Sequence, residues 1–300
     1  MNEQGQFTLL VGDNPFHGIS HLSQERSRAR GQAIYDVESA AGLVATSLDN
    51  GADGFMFSVS ETTLAILARL GERVGSKRPR LFAIVPYAYE YVRLATQVGM
   101  QGLARKFAKQ IVFSGDVKSL LTGLKGVFYA DLAALLEAYV RFEVSRIRSA
   151  SRKKMILDSV FLHEVLTEMA LALKLKWLFR SYVKFMIKSG ITPGFETRNF
   201  AYLVRRFKEW DIDFADVLIA TPLNRVGFQM NPSRSECEKA LAEIPTPDVI
   251  AVSTMAAGYL TLPEAISYIQ TLPNLRGLVA GVSKEQHARE TFRLLREFLK

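Results

Sequence analysis

Val217-Leu218-Ile219-Ala220-Thr221, Val249-Ile250-Ala251-Val252-Ser253 and Leu278-Val279-Ala280-Gly281 are three apolar runs of strand length. Helical patterns follow them at Pro232 to Glu243, Leu262 to Leu272 and Lys284 to Phe298. Continuous apolar runs alternating with helices imply parallel strands, buried on both faces and joined by helical crossovers.

Counted backwards, the same rhythm fills the chain. Phe7 to Val11 is the first strand, and it ends in the turn-forming Gly12-Asp13-Asn14-Pro15-Phe16-His17-Gly18. The charged stretch Ser20 to Gly31 is expected to fold over the open end of the sheet. Asp36 is placed to cap a helix through Val37, Ala41, Val44 and Leu48 that stops at Asn50-Gly51. Gly54 to Val59 and Leu81 to Val85 are strands, with a helix from Thr62 to Val74 between them. The next strand, Met155 to His163, begins after an interval too long for one crossover. Helical stretches at Glu90 to Val98, Leu103 to Ile111, Val117 to Leu124 and Asp131 to Ser149 fill that interval, so 88–150 reads as a helical insertion over or beside the barrel mouth. A long helix from Glu164 to Lys188, a strand at Ile191 to Phe195 and a helix from Phe200 to Trp210 complete the count.

Eight strands, each followed by a helix, close as an α/β fold of the (β/α)8 TIM barrel type, with a single domain spanning 1–300. An open doubly wound sheet would be expected to show G-x-G-x-x-G after its first strand, and none stands there.

Composition narrows the function classes. No run of about 18 apolar residues predicts a spanning helix, and the polar Met1 to Gln6 is unlike a secretory leader. The single Cys237 rules out intrachain disulfides and thiolate-rich zinc sites. It fits a reducing cytoplasm, where the protein is expected to reside. Its helix is expected to lie on the surface, which speaks against a catalytic thiol. The net charge is +8, dense at Arg141 to Lys154 and along Lys174, Lys176, Arg180, Lys184 and Lys188. Without a recognisable binding module these read as solvated helix faces, and no nucleic-acid partner is expected.

Barrel active sites form at the carboxyl ends of the strands. Those ends offer Asp13, Asn14 and His17; Ser58, Ser60 and Glu61; Tyr87; His163 and Glu164; Glu196, Arg198 and Asn199; Thr221 and Asn224; and Ser253, Thr254, Met255, Gly258, Gly281 and Ser283. His163 suits an acid, base or donor. Glu61 and Glu196 could serve as acid/base groups or as helix caps, and His17 shares its loop with Asp13. No metal site is expected, because three well-placed ligands are not evident. Asp158 stands five residues before His163, which on a straight strand puts the two on opposite faces and makes Asp158 structural. The amides at Gly281-Val282-Ser283, with the loop Ala256-Ala257-Gly258, form a candidate phosphate corner.

The segments Val11-Gly12-Asp13-Asn14-Pro15-Phe16, Asp158-Ser-Val-Phe-Leu-His163, Gly194-Phe-Glu-Thr-Arg-Asn199-Phe200, Met255-Ala-Ala-Gly258-Tyr-Leu260 and Gly281-Val-Ser-Lys284-Glu-Gln286 with Glu290 resemble motifs of the aldo-keto reductase superfamily. The resemblance implies a barrel binding NADP or NAD through Asn224, Met255, Gly258, Gly281, Ser283 and Lys284. It also implies a small carbonyl substrate, with His163 in the site. The family's strand-two Asp and Tyr and its strand-three Lys are replaced here by Phe57-Ser58-Val59-Ser60-Glu61 and Val85-Pro86-Tyr87. The expected catalytic set is therefore His163, Tyr87, Glu61, Glu196 and Asp13, with Asn14, His17 and Asn199 contacting substrate.

Three readings follow. The first is a reductase-like barrel with diverged catalytic residues. The second is a non-redox lyase, isomerase or hydrolase acting on a phosphorylated or carboxylated small molecule. The third is a non-catalytic barrel that binds a partner or an anionic membrane through Met169 to Met186. Helices that face a neighbouring subunit carry a similar mixture, which leaves a homo-oligomer open.

Overall fold

The computed structural model describes residues 6–17, 36–86, 132–246 and 248–299. The eight strands are β1 (Thr8–Gly12), β2 (Gly54–Ser58), β3 (Arg80–Val85), β4 (Ile156–Leu162), β5 (Thr192–Glu196), β6 (Leu218–Pro222), β7 (Val249–Val252) and β8 (Leu275–Gly281). All pair in parallel in sequence order, and β8 pairs with β1 to close the barrel. Around them lie α1 (Val37–Asp49), α2 (Glu61–Arg73), α3 (Leu132–Ala150), α4 (Glu164–Ala172), α5 (Lys176–Lys188), α6 (Phe200–Glu209), α7 (Arg234–Ala242), α8 (Leu262–Ile269) and α9 (Glu285–Phe298). Of the expected insertion, only α3 falls among the described residues. The helices expected between Glu90 and Leu124, the cover expected at Ser20 to Gly31, and Tyr87 lie outside them.

The alternation of each strand sorts its side chains into two cores. Leu10, Met56, Phe82, Ile84, Phe161, Leu218, Ala220 and Ile250 fill the lumen, with Val252 and Val279 against them. The complementary residues pack between sheet and helices, where Phe179, Phe195 and Phe207 meet with ring centroids 5.2–5.5 Å apart. The lumen is tight at β5: a Cβ on Gly194 would sit 2.5 Å from the Phe161 ring, so glycine is needed there for the ring to cross.

The amino ends of the strands are closed by polar pairs. Arg296 of α9 reaches Asp53 at 2.6 Å and also donates to the carbonyls of Phe7 and Gly51, while Asp53 accepts the Leu9 amide at 2.8 Å. Arg276 pairs with Asp248 at 3.3 Å. Arg80 pairs with Asp158, with its guanidinium over the lumen ring of Phe82. Asp158 is structural, as expected, but not because it faces away from His163. The register of β3 and β4 shifts between Leu81 and Phe82, where Leu157 and Ser159 are the successive partners. The extra residue at Asp158 breaks the simple alternation.

Several boundaries differ from the sequence expectation. The single helix expected over Glu164 to Lys188 is two helices, α4 and α5. Lys174 adopts φ 52°, and the turn returns Phe179, Tyr182, Phe185 and Met186 to the barrel wall. Asp36 occupies the N-cap of α1 without a side-chain cap bond. Ser233 caps α7, so that helix starts later than Pro232. Cys237 is buried on the inner side of α7 rather than on the surface, and burial pushes its thiol up to about 11. It is inert through burial.

Candidate active site

Strand register places two titratable groups side by side in the lumen. Phe161 of β4 pairs with Gly194 of β5, and Leu162 pairs with Phe195. Phe161 faces inward, so the next inward positions are 163 and 196, at the carboxyl ends of neighbouring strands. His163 is the N-cap of α4, and its Nδ1 accepts the Val165 amide at 3.1 Å. That bond assigns the ring proton to Nε2. Burial, assisted by the nearby Arg198 charge, lowers the imidazole to about 4, so it is a neutral donor at physiological pH.

Glu196 moves the other way. Burial, then the charge of Glu164 and more weakly that of Asp13, raises its carboxyl to about 7, against the lowering influence of the Glu164 amide and Arg198. The amide of Glu164 reaches Glu196 Oε2 at 3.3 Å. Glu164 in turn holds Arg198 Nε at 2.6 Å. At neutral pH Glu196 is thus divided between acid and carboxylate, the condition under which a carboxyl can give or take a proton.

Asp13 stands just beyond β1. Its Oδ2 accepts the Ser58 amide at 2.7 Å and lies 3.3 Å from His17 Nε2, and the side chains of both Asp13 and His17 are almost wholly buried. Asp13, His17, His163 and Glu196, with Glu164 and Arg198 beside them, form the mouth. Glu168 is a further organiser that sequence reasoning did not single out. Its Oε1 accepts Thr197 Oγ1 at 2.6 Å and the amides of Arg198 and Asn199 at 3.0 and 3.1 Å, fixing the turn after β5. The signal available was the i, i+4 spacing of Glu164 and Glu168 directly after a strand-end histidine.

Other expected residues lie elsewhere. Glu61 is largely exposed in the first turn of α2 and pairs with Arg146 of α3; the capping box there is Ser60 with Thr63. Asn14 is exposed in the 3-10 turn after β1. Asn199 is the N-cap of α6 and lines a groove of about 670 Å³ on the outer wall, with Glu168, Tyr202, Arg205 and Lys239. Asn224 is fully buried, and its amide serves the β6–β7 connection: Nδ2 donates to Phe228 and Ser253 carbonyls, and Oδ1 accepts the Phe228 amide. Both of its Nδ2 donors are committed to that loop, which it ties together.

The corner at β7 and β8 has unusual backbone. Ser253, Ala256, Ala257 and Gly258 have φ of 52°, 46°, 61° and 90°. Left-handed non-glycine residues are costly and concentrate where a loop shape is needed for function. Met255 precedes this turn. Gly281 is exposed at the end of β8, where a Cβ would press on Pro15 at 3.0 Å, and Lys284 occupies the N-cap position of α9 without a side-chain cap bond, with Ser283 before it. Among the described residues no group of three or more His, Cys, Asp or Glu is placed to hold a metal ion.

No protein-family model and no curated protein matches the chain. Solved structures do match, and two of them serve for comparison. Each is described as a "putative aldo-keto reductase" of Pseudomonas aeruginosa. One superposes with a TM-score of 0.57 at 13% identity, covering 97% of this chain and 91% of that one. The other gives 0.56 at 13% identity, covering 97% and 90%. The likeness is one of fold: the chain is a closed, parallel (β/α)8 barrel.

Proposed function

We propose that this barrel is an NAD(P)-linked oxidoreductase acting on a small carbonyl compound, with Glu196 in place of the usual tyrosine acid. The observation that supports it is the adjacency of a neutral His163 and a Glu196 titrating near 7 in the lumen of this fold. His163 Nε2–H is a donor for the carbonyl oxygen, and protonated Glu196 delivers the proton to that oxygen as the carbon is reduced. A nicotinamide, when bound, supplies the hydride. The left-handed turn after β7 and the exposed Gly281 fit its phosphates, with Met255, Gly258, Ser283 and Lys284 as the remaining contacts. Asp13 and His17 hold the opposite rim, with Asn14 and Asn199 at the approaches.

Fluorescence titration with NADPH and with NADH, followed by a panel of small aldehydes and ketones, tests this. Saturable binding with carbonyl-dependent oxidation of the nucleotide is the expected result. Absence of binding at millimolar nucleotide would overturn it.

The Asp13–His17 contact of 3.3 Å, coupled in charge to Glu196, supports a second reading. With two proton-handling groups on facing strands, the same mouth suits an isomerase or lyase that moves a proton next to a carboxylate or phosphate. Exchange of substrate hydrogen with solvent deuterium, without nucleotide, would distinguish it.

A further inference from the structure

From Met169 to Phe195 the sequence has no acidic residue, yet it contains Lys174, Lys176, Arg180, Lys184 and Lys188. The structure turns this segment outward. Val165, Met169 and Leu173 recur every four residues along α4 and past its end, and are 45%, 54% and 65% exposed. Trp177 follows in the first turn of α5 at 44%, and Ile187 near its end at 48%. The opposite face of α5 is Phe179, Tyr182, Phe185 and Met186, fully packed on the barrel. The exposed apolar residues are therefore not left over from the core; they form a second, outer apolar stripe.

The charge on this face is also uncommitted. Arg180 is engaged with the Trp210 carbonyl and with Asp211. Lys174, Lys176, Lys184 and Lys188 form no ion pair among the described residues. A lysine-bordered stripe of Trp, Leu, Met, Val and Ile, whose neighbouring acids are engaged (Glu164 with Arg198, Glu168 with Thr197, Asp211 with Arg180), matches a surface that offers apolar depth beneath negative charge. Nucleic acid would leave Val165, Met169, Leu173 and Ile187 against phosphates, with nothing to bury them. A protein partner would be expected to meet free groups of both signs, whereas the acids bordering this face are engaged and its lysines are not.

We propose that the outer face of α4 and α5 docks the barrel reversibly on an anionic lipid surface, with Leu173 and Trp177 entering the headgroup region. The lysines supply attraction and orientation.

The test is co-flotation of the full chain with phosphatidylcholine vesicles, with and without phosphatidylserine, while following tryptophan emission. Binding only to the serine-containing vesicles is expected, with a blue shift and release at about 0.5 M NaCl, where surface charges are screened. The shift should vanish in Trp177→Phe, because Trp210 is buried. Met169→Asp with Leu173→Asp should lower partitioning at least about tenfold, with an unchanged circular dichroism spectrum, as should the four-lysine variant to Gln. No binding to phosphatidylserine vesicles, or binding indifferent to these substitutions, would overturn the proposal. So would concentration-dependent self-association that buries Trp177 instead, or preferential binding of single-stranded oligonucleotide or polyglutamate through the lysines.

Discussion

The amide of Glu164 donates to the carboxyl of Glu196 at 3.3 Å, while the Glu164 side chain holds Arg198 at 2.6 Å. One residue thus both stabilises the Glu196 carboxylate through its backbone and destabilises it through its charge. Burial tips the balance, and Glu196 ends near 7.

If Glu196 is the proton donor, the reductive rate falls as pH rises through about 7. Glu196→Gln should reduce kcat by about 10²- to 10⁴-fold and erase that limb. Glu164→Gln should keep activity and move the limb to lower pH, because a raising charge is removed. A pH–rate profile of the three proteins checks both.

His163 is neutral across the working range, since its imidazole is lowered to about 4. His163→Gln keeps a donor and should retain more activity than His163→Ala. Neither change should introduce a titration near 6.5. The comparison is read as kcat/KM at fixed nucleotide.

Glu143 of α3 is buried against Arg146 and Tyr139, and burial raises it to about 7, as it does Glu196. A carboxyl raised in the folded state favours folding at low pH. Its contribution is complete below about 4.5 and is lost as pH rises through about 7. Stability measured by urea should therefore decline between those values. Glu143→Gln should flatten the decline by an amount on the order of 1–3 kcal/mol at pH 8.

Gly194→Ala would place a methyl 2.5 Å from the Phe161 ring. The cost should be about 1–3 kcal/mol, and Phe161→Leu in the same chain should recover much of it. Denaturant midpoints of the two single variants and the double variant measure the coupling.

At the amino ends, Asp158→Ala leaves Arg80 half-buried without its partner. A loss of about 1–3 kcal/mol is expected in thermal or urea unfolding, with no change at the mouth.

The barrel was legible because its signal is repetitive: apolar runs such as Val249 to Val252 alternate with amphipathic helices, and eight such units close in one way. The lumen neighbours were legible in kind, since His163 and Glu196 each end a strand. Their adjacency was not, because it depends on the register between β4 and β5, which no local pattern encodes. Asn224 shows a related limit. An amide at a strand end can face a ligand or stitch its own loop, and only the positions of Phe228 and Ser253 decide for Asn224. The break at Lys174 carries no Gly or Pro, so it arises from tertiary packing alone. The bulge at Asp158 likewise leaves no mark in composition, and it defeated an argument from strand alternation that a straight β4 would have satisfied.

Arg296, in the last turn of α9, holds the Phe7 and Gly51 carbonyls and the Asp53 carboxylate. The first strand is therefore fastened by a residue 289 positions away in sequence. A contact of that span closes only after the whole barrel has been gathered, so the seam between β1 and β8 belongs to the late, slow part of folding, and loosening the last turn of α9 would open the barrel where it is joined.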